Sequence, residues 1–154
     1  MIRGSFVSFD EYSDRDLMPV VRVTVSIAGF KEPAGGIDFV IDTGAQFTNI
    51  QPSDAYLWAE IPDDQLSDPA KWPTTTYGSG IGGLGAFFPM PASYRFQHES
   101  GRVETIVGTV YIAQLTPDNI NMPSLLGWDI LRHFRIALDY GAGEVRLTRQ
   151  RRSA

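Results

Sequence analysis

A mainly β domain is what this sequence predicts, and three observations carry the prediction. Apolar residues recur with period two in the most regular segments, turn-forming residues separate those segments at hairpin spacing, and helical signal is confined to two short stretches. A chain of 154 residues, 43% hydrophobic and 20% charged, has the balance of one globular domain with a sizeable core.

From Val21 the chain reads Val-Arg-Val-Thr-Val-Ser-Ile. Val21, Val23, Val25 and Ile27 share one face and Arg22, Thr24 and Ser26 the other, the pattern of a half-buried strand. Pro33-Ala34-Gly35-Gly36 supplies turn chemistry, and Ile37 to Ile41 reads as a second strand, which makes a hairpin. Pro52-Ser53-Asp54-Ala55 opens a short helix through Trp58, with proline in its first turn. The polar stretch from Pro62 to Thr76, with prolines at 62, 69 and 73, reads as a surface insertion. Ser93–His98 and Val103–Ala113 flank Glu99-Ser100-Gly101 and form another hairpin. Ser124, Leu125, Leu126, Ile130 and Leu131 suggest a second short helix ending near His133. Phe134–Tyr140 and Glu144–Thr148 flank Gly141-Ala142-Gly143 as a third hairpin. With no repeat, low-complexity segment or linker, residues 1–154 read as a single domain.

A net charge of -5, from 13 basic and 18 acidic residues, argues against nucleic acid or an anionic membrane as partner. No run of 18 apolar residues marks a transmembrane helix, and Asp10, Glu11, Asp14 and Asp16 stand where a signal peptide needs an apolar stretch. With no cysteine, disulfides, thiolate metal sites and cysteine nucleophiles are excluded. A cytoplasmic setting is the expectation.

The segment richest in chemistry is Phe39-Val40-Ile41-Asp42-Thr43-Gly44-Ala45. An apolar strand runs directly into a carboxylate, which is costly at a buried strand end unless hydrogen bonds hold it there. Gly44 permits a tight turn that brings backbone N–H groups to that carboxylate, and the Thr43 hydroxyl can brace a neighbouring loop. An ordinary β-turn is the alternative reading of the same three residues.

Val40-Ile41-Asp42-Thr43-Gly44-Ala45 resembles the active-site strand of the retropepsin-like aspartic proteases. Gly80-Ile81-Gly82-Gly83 is similar to the glycine-rich flap tip of the retroviral members. Leu125-Leu126-Gly127-Trp128-Asp129-Ile130-Leu131 resembles their second signature, two aliphatic residues and a glycine leading into a short helix. The C-terminal hairpin resembles that of the DNA-damage-inducible-type members, whose last strands contribute to a dimer interface. The likeness spans most of residues 20–149. It implies a retropepsin-like closed β-barrel with one or two short helices, leaving the N-terminal segment and a basic tail (Arg149, Arg151, Arg152) peripheral.

The chemistry this implies needs two carboxylates sharing one proton, one as base toward water and one as acid toward the carbonyl, for which aspartic proteases are the standard example. This chain has one Asp-Thr-Gly. Asp139-Tyr140-Gly141-Ala142 is the nearest second candidate, but its large tyrosine and its place between two strands make it a plain turn. The resemblance therefore implies a homodimer, with Asp42 from each subunit at a two-fold axis and Thr43 bracing the two loops across it. Ala45 completes the loop, Gly80, Ile81, Gly82 and Gly83 cover an extended polypeptide, and Gly127 and Asp129 support the active loop from behind. Asp129 is expected to bond backbone near the catalytic loop.

Two departures stand out. Many retroviral members carry an acidic residue after the Asp-Thr-Gly-Ala run and an arginine after the second-signature glycine, and these pair. Here the positions hold Gln46 and Trp128, so both partners are absent together. The stretch from Gln51 to Thr76 is longer than in retroviral enzymes.

Other motifs fail on context. Gly78 to Gly85 fits a dinucleotide fingerprint, but Ala86-Phe87-Phe88-Pro89-Met90-Pro91 follows where a helix is required, and no Lys-Ser or Lys-Thr makes a phosphate loop. His98 and His133 lack ligand spacing, Glu99 and Glu104 make no ligand set with His98, and the acidic N-terminal residues lack the glycine of a calcium loop. Neither metal nor organic cofactor is implied. An aspartic endopeptidase is the first expectation. A catalytically silent domain of the same fold, binding peptides or mediating assembly, is the second.

Overall fold

The computed structural model describes residues 1–9, 16–80 and 83–151. The alternating segments become strands β1 (Ile2–Ser8), β2 (Leu17–Ile27), β3 (Ile37–Ile41), β4 (Asn49–Ile50), β5 (Thr76–Gly80), β6 (Gly83–Gln97), β7 (Val103–Ala113), β8 (Leu125–Leu126), β9 (Phe134–Asp139) and β10 (Glu144–Arg149). Helices are short: α1 (Pro52–Ala59), α2 (Asp63–Leu66) and α3 (Trp128–Leu131), with a 3-10 turn at Pro69–Lys71. The protein is mainly β, as its period-two segments predict.

The strands join in the order β5-β6-β7-β4-β8-β3-β2-β1-β10-β9, and β6 pairs also with β2. That extra pairing closes a ring of hydrogen-bonded strands through β2, β3, β8, β4, β7 and β6. Strand β2 makes closure possible by changing partner along its length: Val20–Val23 pair with β3 and Thr24–Ile27 with β6. Its apolar face, Val21, Val23, Val25 and Ile27, points into the core against Phe88, Ala92, Tyr94 and Phe96 of β6. Burying two such alternating faces against each other is the main driving force for this architecture.

The three hairpins form where turn residues mark them, with Val20 opposite Val40, Gln97 opposite Val103 and Asp139 opposite Glu144. The Asp139 carboxylate accepts the Ala142 N–H at 3.0 Å, and Gly143 takes φ 65°, where a side chain would be strained. This is an ordinary turn. Strand β1 pairs with β2 and β10 and buries Ile2, so the segment ahead of residue 20 takes part in the sheet. Arg149 closes β10 with its Nε 3.0 Å from Glu104 Oε1, so it is not a solvent-facing tail residue. Asp10, Glu11, Asp14, Ile81, Gly82 and Arg152 lie outside the described residues.

Three expectations need correction. The second helix does not start at Ser124: Leu125–Leu126 are extended, and α3 begins after Gly127. Residues 125–126 pair with β3 on one side and β4 on the other, so their backbone groups are taken up by neighbouring strands. Pro62–Thr76 is not merely surface. Leu66 is fully buried, and the Trp72 ring stacks on Phe88 at 4.6 Å between centroids. The segment also forms α2, raising the helix count to three among the described residues.

Trp72 is 7% exposed and its indole donates to the Gln65 carbonyl at 2.8 Å. Trp72→Ala is therefore expected to lower stability by about 3–5 kcal/mol in urea unfolding, the cost of a large aromatic cavity. A loss within about 0.5 kcal/mol would mean that the segment is peripheral.

Candidate active site

Strand β8 lies between β3 and β4. It runs parallel to β3, with Val40 beside Leu125 and Ile41 beside Leu126, and antiparallel to β4, with Asn49 beside Leu125. The chain between β3 and β4 must therefore arch over the end of β8, and that arch is residues 42–48. The Asp42 N–H donates to the Leu126 carbonyl at 3.1 Å, extending the β3–β8 ladder by one step. Beyond it the backbone turns, with the Ala45 N–H on the Asp42 carbonyl at 3.2 Å.

The turn aims the carboxylate. Gly44 N–H donates to Asp42 Oδ1 at 2.9 Å, the bond by which Asp favours turns. A Cβ on residue 44 would stand 3.2 Å from that oxygen, so glycine keeps the approach open. Asp42 is half-buried, while Thr43 and Gly44 are exposed.

Thr48, fully buried, locks the far side of the arch. Its hydroxyl donates to Asp129 Oδ1 at 2.7 Å and accepts the Gly127 N–H at 3.0 Å. Its own N–H reaches both Asp129 oxygens, at 3.0 and 3.1 Å, and its carbonyl accepts from Tyr111 N–H at 3.1 Å. Asp129 thus bonds the backbone of the arch, as the motif implies. The first N–H groups of α3, which have no partner within a helix, find theirs on the arch: Trp128 N–H on Ala45 O at 2.9 Å and Asp129 N–H on Gln46 O at 3.1 Å. Gly127 packs so tightly that a Cβ there would lie 2.7 Å from backbone atoms of Phe47. The Trp128 indole donates to the Thr43 carbonyl at 2.6 Å.

Behind the arch, Ser124 carries a second bonded group. Its carbonyl accepts Val40 N–H at 2.9 Å, its hydroxyl accepts Gln51 N–H at 2.9 Å, and the same hydroxyl donates to Asp54 Oδ2 at 2.6 Å. Burial pushes the Asp54 carboxyl above its ordinary range, opposed by the Ser124 bond and reinforced by the charge of Asp38. Under the site, burial raises the Tyr94 phenol, so it remains a donor, reaching Thr109 O at 2.8 Å.

The structure brings the first and third motifs together and builds the second as a hairpin off β6. Gly80 pairs with Gly83, closing β5 on β6, and no helix follows, which disposes of the dinucleotide reading. Ile81 and Gly82 lie outside the described residues. Tyr77 is opposite Ala86, so it shares a face with Leu84, and both are exposed. Sequence reading missed Thr48, Ser124 and Asp54 and gave Trp128 no role; small polar residues beside a strand carry no signal of their own until the fold shows their partners.

His98, read as lacking a ligand set, is buried in a polar cluster, with Nε2 3.0 Å from Glu104 Oε2 and Nδ1 3.1 Å from the Met1 nitrogen. Among the described residues no three His, Cys, Asp or Glu side chains converge as metal ligands. No helix among them is long and apolar enough to cross a membrane. A scan against protein-family models finds no match, and neither does a search of curated proteins.

Two outcomes follow from this geometry. Thr48→Val, which keeps the shape and removes the hydroxyl, leaves the Gly127 N–H without its acceptor and takes one of three donors from Asp129 Oδ1; urea unfolding should show a loss of about 1–3 kcal/mol. Asp54 binds its proton more tightly folded than unfolded, so wild-type stability should fall as pH rises from the ordinary 3.8 through its raised value. Asp54→Asn cannot ionise and should gain on wild type over that window in unfolding at several pH values; a constant difference would contradict the assignment.

Proposed function

We propose that this chain is a retropepsin-like aspartic endopeptidase that acts as a homodimer, its ring of strands being the closed barrel of that fold. The observation that carries the reading is the Asp42 carboxylate at the end of a core strand, fixed by Gly44 N–H on an arch that is bonded to residues 126–129 and yet exposed at its tip. A structural turn does not need so many bonds to hold one half-buried carboxylate toward the surface.

One carboxylate is half of an acid–base pair. A second copy, related by a two-fold axis at Thr43–Gly44, supplies the other, since an isologous interface sets like against like. Two carboxylates at close range cannot both ionise, so the pair keeps one proton. The ionised member takes a proton from water while the water oxygen attacks the peptide carbonyl. The protonated member donates its proton to the carbonyl oxygen. The tetrahedral intermediate then collapses: the C–N bond breaks, the nitrogen takes a proton from one member of the dyad, a hydroxyl of the intermediate returns its proton to the other, and acid and amine leave with the one-proton pair restored. The pair titrates as a unit.

The substrate is an extended polypeptide with apolar side chains near the scissile bond. Exposed Tyr77 and Leu84 on one face of the β5–β6 hairpin support an apolar preference, and an extended chain laid along the hairpin bonds by strand addition. Exposed Phe47 on the arch and Trp128 beside it, 52% and 44% accessible in the single chain, suit a surface that a second copy covers.

The test is cleavage of a diverse peptide mixture from about pH 3.5 to 7, a window spanning dyad titrations, by wild type and Asp42→Asn. Cuts by wild type alone, with specific activity rising with protein concentration, are expected. Equal cutting by both would remove Asp42 from catalysis. Silence from a wild type that is monomeric would favour the peptide-binding or assembly domain.

A further inference from the structure

Two of the bonds around Asp42 fall on one peptide unit. The Thr43 carbonyl accepts from the Trp128 indole at 2.6 Å, and the Gly44 N–H, at the other end of the same amide, donates to Asp42 Oδ1 at 2.9 Å. A peptide is planar and trans, so fixing the direction of its C=O fixes the direction of its N–H. A carbonyl that accepts a hydrogen bond also polarises its amide and strengthens the N–H as a donor.

We propose that Trp128 is a positioning residue for Asp42, acting through the Thr43–Gly44 peptide as a relay from indole N–H to carboxylate. The consequence for rate rests on the protease reading above; the relay itself does not. The indole is held on a rigid mount. Its own backbone N–H is bonded to Ala45 O at 2.9 Å, the preceding Gly127 is wedged against Phe47, and Ile130 and Leu131 anchor α3 in the core. The ring is 44% exposed in the single chain, and phenylalanine would keep a flat apolar ring there, of smaller area, but no donor. What tryptophan adds at this position is one N–H donor with no charge. The neighbouring Asp129 carboxylate is turned to Thr48, so it does not compete for the indole. The pairing of an acidic residue with arginine that the related motif uses beside this loop is replaced by a neutral donor that reaches the loop's own backbone.

Two nuclear magnetic resonance measurements on the full chain test the relay. In Trp128→Phe the Gly44 amide proton should move upfield while the Thr48 and Gly127 amides, which report the lock, stay in place. In unsubstituted protein the Trp128 indole proton should titrate with a component that is lost in Asp42→Asn, a comparison that requires no change at Trp128. Trp128→Phe should also lower kcat by about fivefold, the worth of one net hydrogen bond, with KM unchanged and the acidic limb of the rate profile moved to higher pH. A Gly44 amide that stays put in folded Trp128→Phe, or an indole proton that titrates identically with and without the Asp42 carboxylate, overturns the proposal. Absence of any wild-type cleavage defeats the protease reading instead, and the two resonances still decide the relay.

Discussion

The insertion of β8 between β3 and β4 governs the rest of the molecule. Once Leu125–Leu126 occupies that slot, the chain from Ile41 to Asn49 can only pass over its end, and Gly127 must lie against the Phe47 backbone at a distance no side chain tolerates. The backbone groups that the arch turns toward β8 and α3 would then lack partners. Thr48, Asp129 and the first N–H groups of α3 satisfy them, and each bond ties the arch to a different part of the same support. The outcome is a carboxylate whose position is set from behind by the core and whose tip faces outward.

Rigidity behind and exposure in front divide the labour of the site. The ring of strands, with Tyr94, Phe88 and Ile112 fully buried, supplies a base that does not shift when residues at the surface change. Trp72 and Leu66 extend that base under the hairpin side of the sheet, so the long connection between α1 and β5 contributes packing as well as a link. The hairpin projects from one end of the sheet, joined to it through β6 and by the Gln114 N–H on Ala86 O, so its outer residues can carry recognition without disturbing the ring.

How much of this was legible in the sequence depends on the range of the interaction. Alternation along Val21–Ile27 and the turn residues before Glu144 are local signals, and the structure follows them. Leu125–Leu126 could not be read locally: two apolar residues suit a helix or a strand equally, and only the distant β3 decides between them. The polar, proline-bearing stretch after Pro62 concealed Leu66 and Trp72 because its average composition outweighed two buried side chains. At the site, Asp42, Gly44 and Gly127 carry motif-level signals of backbone geometry. Thr48, Ser124 and Asp54 act through partners many residues away, and no pattern in one sequence marks those pairings.

The central claim is that catalysis needs one Asp42 from each of two chains. Mixing wild type with Asp42→Asn at equal concentrations, after subunit exchange, measures this directly. If each site is shared, only dimers of two wild-type chains work, and activity should fall to about one quarter of that of the same total concentration of wild type. Activity at about half would mean that each chain carries a complete site, and the account would be wrong.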